Sequence, residues 1–161
     1  MNHSSRYILG TVSRVNKKTA IPSTVAYRLG ILGTIAADRF SAEIESLNLK
    51  PKQVGLLAAL DYGVAASQQE LAARLGVVPS LVVALADQLE LRGALRRDRD
   101  PADRRRQILT LTDEGRDLLA QATAAAEQVD RALTARLTEA QLSALQEALT
   151  VLAADAGLPG S

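Results

Sequence analysis

The chain has 161 residues, 47% apolar but only 2% aromatic, with 19 basic against 18 acidic side chains and no cysteine. That length and apolar share suit one domain, or one small domain plus an oligomerisation layer, with a core of Leu, Ala, Val and Ile, a composition that leans helical. The absence of cysteine excludes disulfides, thiolate zinc sites and a thiol peroxide sensor, and a single histidine, His3, excludes a His-rich metal site.

The opening "MNHSSRYILGTVSRVNKKTA" is interrupted by Arg6 and Arg14, so it reads as neither a signal peptide nor a membrane span. A soluble, cytoplasmic chain with no membrane partner is expected. Net charge is only +1, yet the basic residues cluster. Arg6, Arg14, Lys17 and Lys18 stand in a stretch without acids. Between Arg92 and Arg106, arginines at 92, 96, 97, 99, 104, 105 and 106 outnumber Asp98, Asp100 and Asp103. Two basic patches on a near-neutral chain suggest a polyanionic partner, against the plainer reading of a solvated charge run.

In chain order, Val25, Leu29, Leu32, Ala36, Phe40 and Ile44 recur on one face and predict a long helix from about Ser23 to Leu47. Pro51 suits the first turn of a second helix, "PKQVGLLAALDYG", with Gly63 as its stop. Ser67 to Glu70 has capping-box spacing and opens "ELAARLG" up to Gly76. A further helix is predicted from Pro79 to Leu91, stopping at Gly93. These closely spaced helices form a helix-turn-helix pattern.

After Gly93 the period changes. "ALRRDR" and "RQILTLT" predict two short strands with Leu95, Leu109 and Leu111 facing inward. "DPAD" between them supplies turn chemistry. The result is a hairpin with an arginine tip, the wing of a winged helix. Thr112 can cap a helix running to about Leu137, with Leu118, Leu119, Ala122, Ala126, Val129 and Leu133 on one face. Thr138 to Gln141 is a second capping box, leading into Leu142, Leu145, Leu149 and Leu152.

The expected fold class is mostly α with a small β-hairpin wing. Its organisation reads as a basic tail at 1–22, a dimerisation helix at 23–50, a winged helix-turn-helix at 51–112 and C-terminal dimerisation helices at 113–161. A winged-helix core of about 60 residues is too small to cover the apolar faces of the outer helices. A second copy of the chain is the economical cover, so a homodimer is expected.

In such a dimer the Pro79 to Leu91 helix lies near a major groove of double-stranded DNA and the wing beside the flanking minor groove. The planar, always-charged arginine fork suits the negative potential there, and Asp103 can hold it extended. The alternative is that these charges only pair on the surface, worth under about 1 kcal/mol each.

With "LAARLGV" before the turn, "ALADQLELRGAL" into the wing and "DPADRRRQILTLTDEG" after it, the chain resembles the multiple antibiotic resistance regulator (MarR) family over roughly residues 27–154. The resemblance implies a dimeric transcriptional regulator, usually a repressor, on a pseudo-palindromic operator, often released by a small amphipathic or phenolic ligand. It further implies that Asp103 orients and Arg105 enters the minor groove, with Arg104 and Arg106 nearer the phosphates. Ser67, Gln68, Pro79, Ser80, Leu81, Val83, Ala84 and Gln88 are the helix-turn-helix candidates for DNA contact.

In that family Ser, Thr and Arg usually occupy the exposed face of the recognition helix, whereas here Val78, Leu81, Val83 and Ala84 replace them, leaving Ser80 and Gln88 as polar readers. Readout is expected to lean on thymine methyls, DNA shape and the wing. The alternative is a dimer that docks a protein through this apolar third helix and binds DNA weakly or not at all. Arg39 and Tyr62 are candidate anchors for an anionic aromatic effector, although an arginine beside an apolar face also snorkels or pairs nearby. No cofactor is expected and no enzyme. The usual nucleophile, base, phosphate-loop and metal-ligand patterns are missing from the sequence.

Overall fold

The computed structural model describes residues 21–62, 68–100 and 107–156. The predicted stop at Gly63, the Ser67 cap and the hairpin tip lie outside the described residues. Backbone contacts divide the chain into one unit ending at Gly33 and another beginning at Thr34.

A 3-10 turn, Ile21–Ser23, leads into α1, Val25–Glu43, which begins in the first unit and ends in the second. Thr24 links them. Its hydroxyl donates to the Ile21 carbonyl at 2.9 Å and accepts from the Tyr27 N–H at 3.4 Å. Arg28 Nε also donates to the Pro22 carbonyl. Val25, Leu29 and Leu32, predicted to share an apolar face, are exposed, and α1 buries no residue completely.

The predicted first helix ran unbroken to Leu47, but α1 ends at Glu43. A second 3-10 turn, Glu45–Leu47, follows, and Asn48 takes a left-handed backbone with φ 50°. Asparagine tolerates that conformation better than most residues. The sharp elbow puts both Ile44 and Leu49 into the core, which a straight helix does not do.

The second unit is built around α2, Pro51–Asp61, which packs on α3 (Gln68–Leu75), α4 (Pro79–Leu91), α5 (Asp113–Thr134) and the strand β2. Pro51 occupies the helix start as expected. Gln53 reaches back so that the Lys50 N–H donates to its Oε1 at 2.9 Å. A lysine side chain offers no acceptor, so this is half of a capping box. Leu56, Leu57, Leu71, Val82 and Leu89 are fully buried at the centre. Each contributes about 1.5–3 kcal/mol by leaving water.

The strands β1 (Leu95–Arg99) and β2 (Gln107–Leu111) pair antiparallel, with Leu95 opposite Leu111 and Arg97 opposite Leu109. Leu95, Leu109 and Leu111 are buried, as their alternation predicted. Thr112 caps α5: its Oγ1 accepts from the Gly115 N–H at 3.0 Å and donates to the Gly93 carbonyl at 2.6 Å. Gly115 lies so close to Ala94 that an added Cβ would collide with the Ala94 carbonyl oxygen and sit 3.1 Å from Leu111 Cδ2. The Leu-Xaa-Leu-Thr-Xaa-Xaa-Gly stretch is therefore a seating device, in which two leucines fill the core and the Thr and Gly let α5 start against the hairpin base.

On α5 the buried face is Leu118, Ala122 and Val129, with Ala125 half-buried and the predicted Ala126 exposed. The final helix, α6 (Glu139–Asp155), starts at the predicted capping box, with Thr138 and Gln141 bonding reciprocally. It buries no residue, and Leu145, Leu149 and Leu152 are 39%, 42% and 48% exposed.

Candidate nucleic-acid interface

Helices α3 and α4 meet at 104°, within the range of a helix-turn-helix. Gly76 makes the turn with φ +60°, a backbone that side chains rarely adopt, and the Val77 N–H closes it onto the Ala72 carbonyl at 2.9 Å. Val78 then adopts an extended conformation and Pro79 begins α4. Val82, Leu85, Ala86 and Leu89 form the inner face of α4. Its outer face holds Pro79, Ser80, Ala84, Asp87, Gln88 and Leu91, all exposed.

The predicted readers thus fall into groups. Pro79, Ser80, Ala84 and Gln88 share the exposed face, whereas Val83 is half-buried and Leu81 is half-buried against the core. Gln68 sits half-buried at the start of α3. Gln88 is partly committed, because its Oε1 accepts from Gln53 Nε2 at 3.0 Å. Ser67, Asp103, Arg104, Arg105 and Arg106 lie outside the described residues.

Of the basic cluster read from the sequence, Arg92 and Arg97 serve the fold. Arg92, which ends α4, donates to the carbonyls of Asn48 at 2.8 Å and Leu47 at 3.0 Å, tying α4 to the elbow after α1. Arg97 on β1 donates to both Asp87 and Glu90 of α4. Its pKa is raised above the usual guanidinium range, first by the Asp87 hydrogen bond and then by the two carboxylate charges, against partial burial. Arg96, on the opposite face of the strand, pairs with Asp98 at 2.8 Å and is 64% exposed. Sequence reading missed these roles and that of Gln53. The available signal for Arg97 was its strand position two residues after Leu95, opposite an i, i+3 pair of acids on an otherwise uncharged helix.

The proposed effector anchors Arg39 and Tyr62 are both exposed, Tyr62 by 75%. An open groove of about 700 Å³ lies along the α1–α2 elbow beside Gln88, walled by Ser41, Glu45, Lys50 and Gln53. Neither Arg39 nor Tyr62 lines it. Among the described residues no acidic or histidine cluster could hold a metal ion, and no single helix is long and apolar enough to cross a membrane.

The sequence profile of the MarR family matches residues 47–106, from the elbow through α4 and β1 up to the residue before β2. A protein of Thauera aromatica described as a putative transcriptional regulatory protein for the hcr operon is 35% identical over 115 residues, 70% of this chain and 69% of that protein. The chain belongs to the MarR family. Among solved structures, the transcriptional repressor CouR, bound to a 23-mer DNA duplex, is 34% identical over 81% of this chain and 92% of its own, with a TM-score of 0.69. Bordetella bronchiseptica BpsR, solved in the context of regulation of its DNA binding by 6-hydroxynicotinic acid, is 25% identical over 83% and 96%, with a TM-score of 0.69.

This protein is accordingly a MarR-type transcriptional regulator with a winged helix-turn-helix. The MarR profile ends at Arg106, just before β2, so it includes Arg104, Arg105 and Arg106. The seating device from Leu109 to Gly115 lies beyond it and rests on the packing described above.

Proposed function

We propose that the chain is a homodimeric repressor that binds a pseudo-palindromic operator through α4 and the arginine-rich wing, and that a small amphipathic or phenolic molecule releases it. The observation that carries the dimer is the apolar face of α6, where Leu145, Leu149 and Leu152 repeat at helical spacing without burial within the chain. An amphipathic helix of this kind hides its stripe in an interface. In this reading the dimerisation elements are residues 23–50 and 113–161, flanking the DNA-binding residues 51–112 and preceded by the basic tail 1–22.

DNA recognition is supported by the exposed outer face of α4, by the arginine-rich hairpin and by the DNA-bound relative CouR. Asp103 orients and Arg105 enters the minor groove in this account, with Arg104 and Arg106 at phosphates. Because α4 offers Ser80, Ala84 and the amide of Gln88 rather than charged readers, sequence preference rests on thymine methyls and groove shape more than on bidentate base contacts. Effector release is supported by BpsR. Anchoring at Arg39 and Tyr62 stays part of the proposal.

The test is selection of duplex DNA by the purified protein, then titration of the enriched sequence at several salt concentrations beside light scattering. An inverted repeat, a dimer mass and a steep loss of affinity with salt are expected, because each neutralised phosphate releases counterions. Salt-independent, sequence-blind binding would instead favour a protein-docking role for α4.

A further inference from the structure

Asp87 and Glu90 are the charged residues of α4, three apart and on the side that meets the hairpin. On a helix that approaches phosphates, two carboxylates are an unfavourable choice by charge alone. Both are held by a single side chain, Arg97 of β1, whose two terminal nitrogens each take one carboxylate. That side chain is 22% exposed, against 64% for Arg96 next to it, so it lies folded between strand and helix.

The hairpin is otherwise held by its apolar side, where Ala94, Leu95, Leu109 and Leu111 are buried, and by Thr112, which ties Gly93 to α5. Among the described residues, Arg97 is where β1 is joined to α4 by ion pairs, opposite the buried Leu109 of β2. Apolar packing is non-directional and leaves a hairpin some freedom to change its angle to the helix. One also gripped at Arg97 cannot without breaking two charge-assisted bonds.

We propose that Arg97 is a positioning residue for DNA recognition: by gripping Asp87 and Glu90 it sets the angle between wing and recognition helix, so that both reach their grooves in one register. The inference rests on the DNA-binding function proposed above. It assigns no DNA contact to Arg97 itself. Arginine is required rather than lysine, because a planar fork satisfies two carboxylates in fixed directions and an ammonium does not.

The experiment measures, for the full-length protein, the ratio of affinities for an enriched duplex and a scrambled duplex of equal length. The variants are Arg97→Lys, Arg97→Met and the double variant Asp87→Asn/Glu90→Gln. Each is expected to lower the ratio by about tenfold, the scale of coupling within one ion-pair network. General loss of folded protein lowers both affinities in proportion and leaves the ratio alone.

The double variant separates positioning from charge. Removing two negative charges near DNA tightens binding to any duplex, so the scrambled affinity is expected to rise while the ratio falls. A ratio within about twofold of the parent in the double variant and in Arg97→Lys overturns the inference. If Arg97→Met fails to fold, Arg97→Lys and the double variant decide. If the parent protein enriches no sequence, the DNA-binding function fails and this inference with it. If it does and the variants keep its ratio, only the role of Arg97 is lost.

Discussion

Replacing Gly115 with alanine tests how the hairpin base is seated on α5, because two effects of opposite sign meet at that position. Gly115 is the third residue of a 22-residue helix, and helix propensity alone predicts that alanine stabilises by about 1 kcal/mol. Packing predicts the reverse. The new methyl would meet the Ala94 carbonyl oxygen well inside contact distance, with Ala94 C and Leu111 Cδ2 each at 3.1 Å. Neither neighbour can yield cheaply. The Ala94 N–H is bonded to the Leu89 carbonyl at 2.9 Å and its own carbonyl to the Thr112 N–H at 3.2 Å, while Leu111 is 6% exposed.

Relief therefore requires α5 to move off the hairpin, which strains the core by about 1–3 kcal/mol. The same movement breaks the Thr112 cap, at about 1 kcal/mol. Subtracting the propensity gain leaves a net loss of about 1–3 kcal/mol. Urea unfolding at fixed protein concentration reads it as a lower midpoint with an unchanged slope. A Gly115→Ala variant as stable as the parent, or more so, would refute the packing argument outright.

Other outcomes follow from the same contacts. Thr112→Ala is expected to cost about 0.5–2 kcal/mol in urea unfolding, and Thr112→Ser to restore most of it, since the cap needs only the hydroxyl. Gly93→Ala places a side chain at φ +74° and is expected to lower stability by about 1–2 kcal/mol in the same assay, although nothing crowds its Cβ. Leu149→Asp puts a charge on the exposed apolar face of α6 and is expected to shift the mass in light scattering from dimer to monomer; an unchanged dimer would place the interface elsewhere. Arg105→Ala is expected to weaken binding to the selected duplex by about 1–3 kcal/mol, and equal affinity would remove the wing from the recognition account.

Much of the architecture was legible because local rules and tertiary packing agree. Alternation placed Leu95, Leu109 and Leu111 inward, and the glycines at 76 and 93 marked turns because their positive φ suits no other residue well. The Thr138 capping box needed only four neighbouring residues to be recognised. Where reading failed, distant partners decided. The first helix stops at Glu43 rather than Leu47 because Ile44 and Leu49 must both enter one core, a demand set by α2. Ala126 fitted the periodic pattern, yet Ala125 is the residue that faces inward, since the angle of α5 follows from its contact at Gly115.

The candidate interface divides along the same line. Composition, caps, turn residues and the hairpin's arginine run were enough to define a winged helix and to nominate its tip, because each is a short-range property of neighbouring residues. Which arginines are available was decided by tertiary structure alone. Arg92 reaches back 44 positions to the Asn48 carbonyl, Gln53 reaches Gln88 across 35, and Arg97 finds its two carboxylates on another element. A charge in a sequence has no address until the chain folds, and here folding turned two members of an apparent basic cluster into struts that tie α4 to the elbow and to β1.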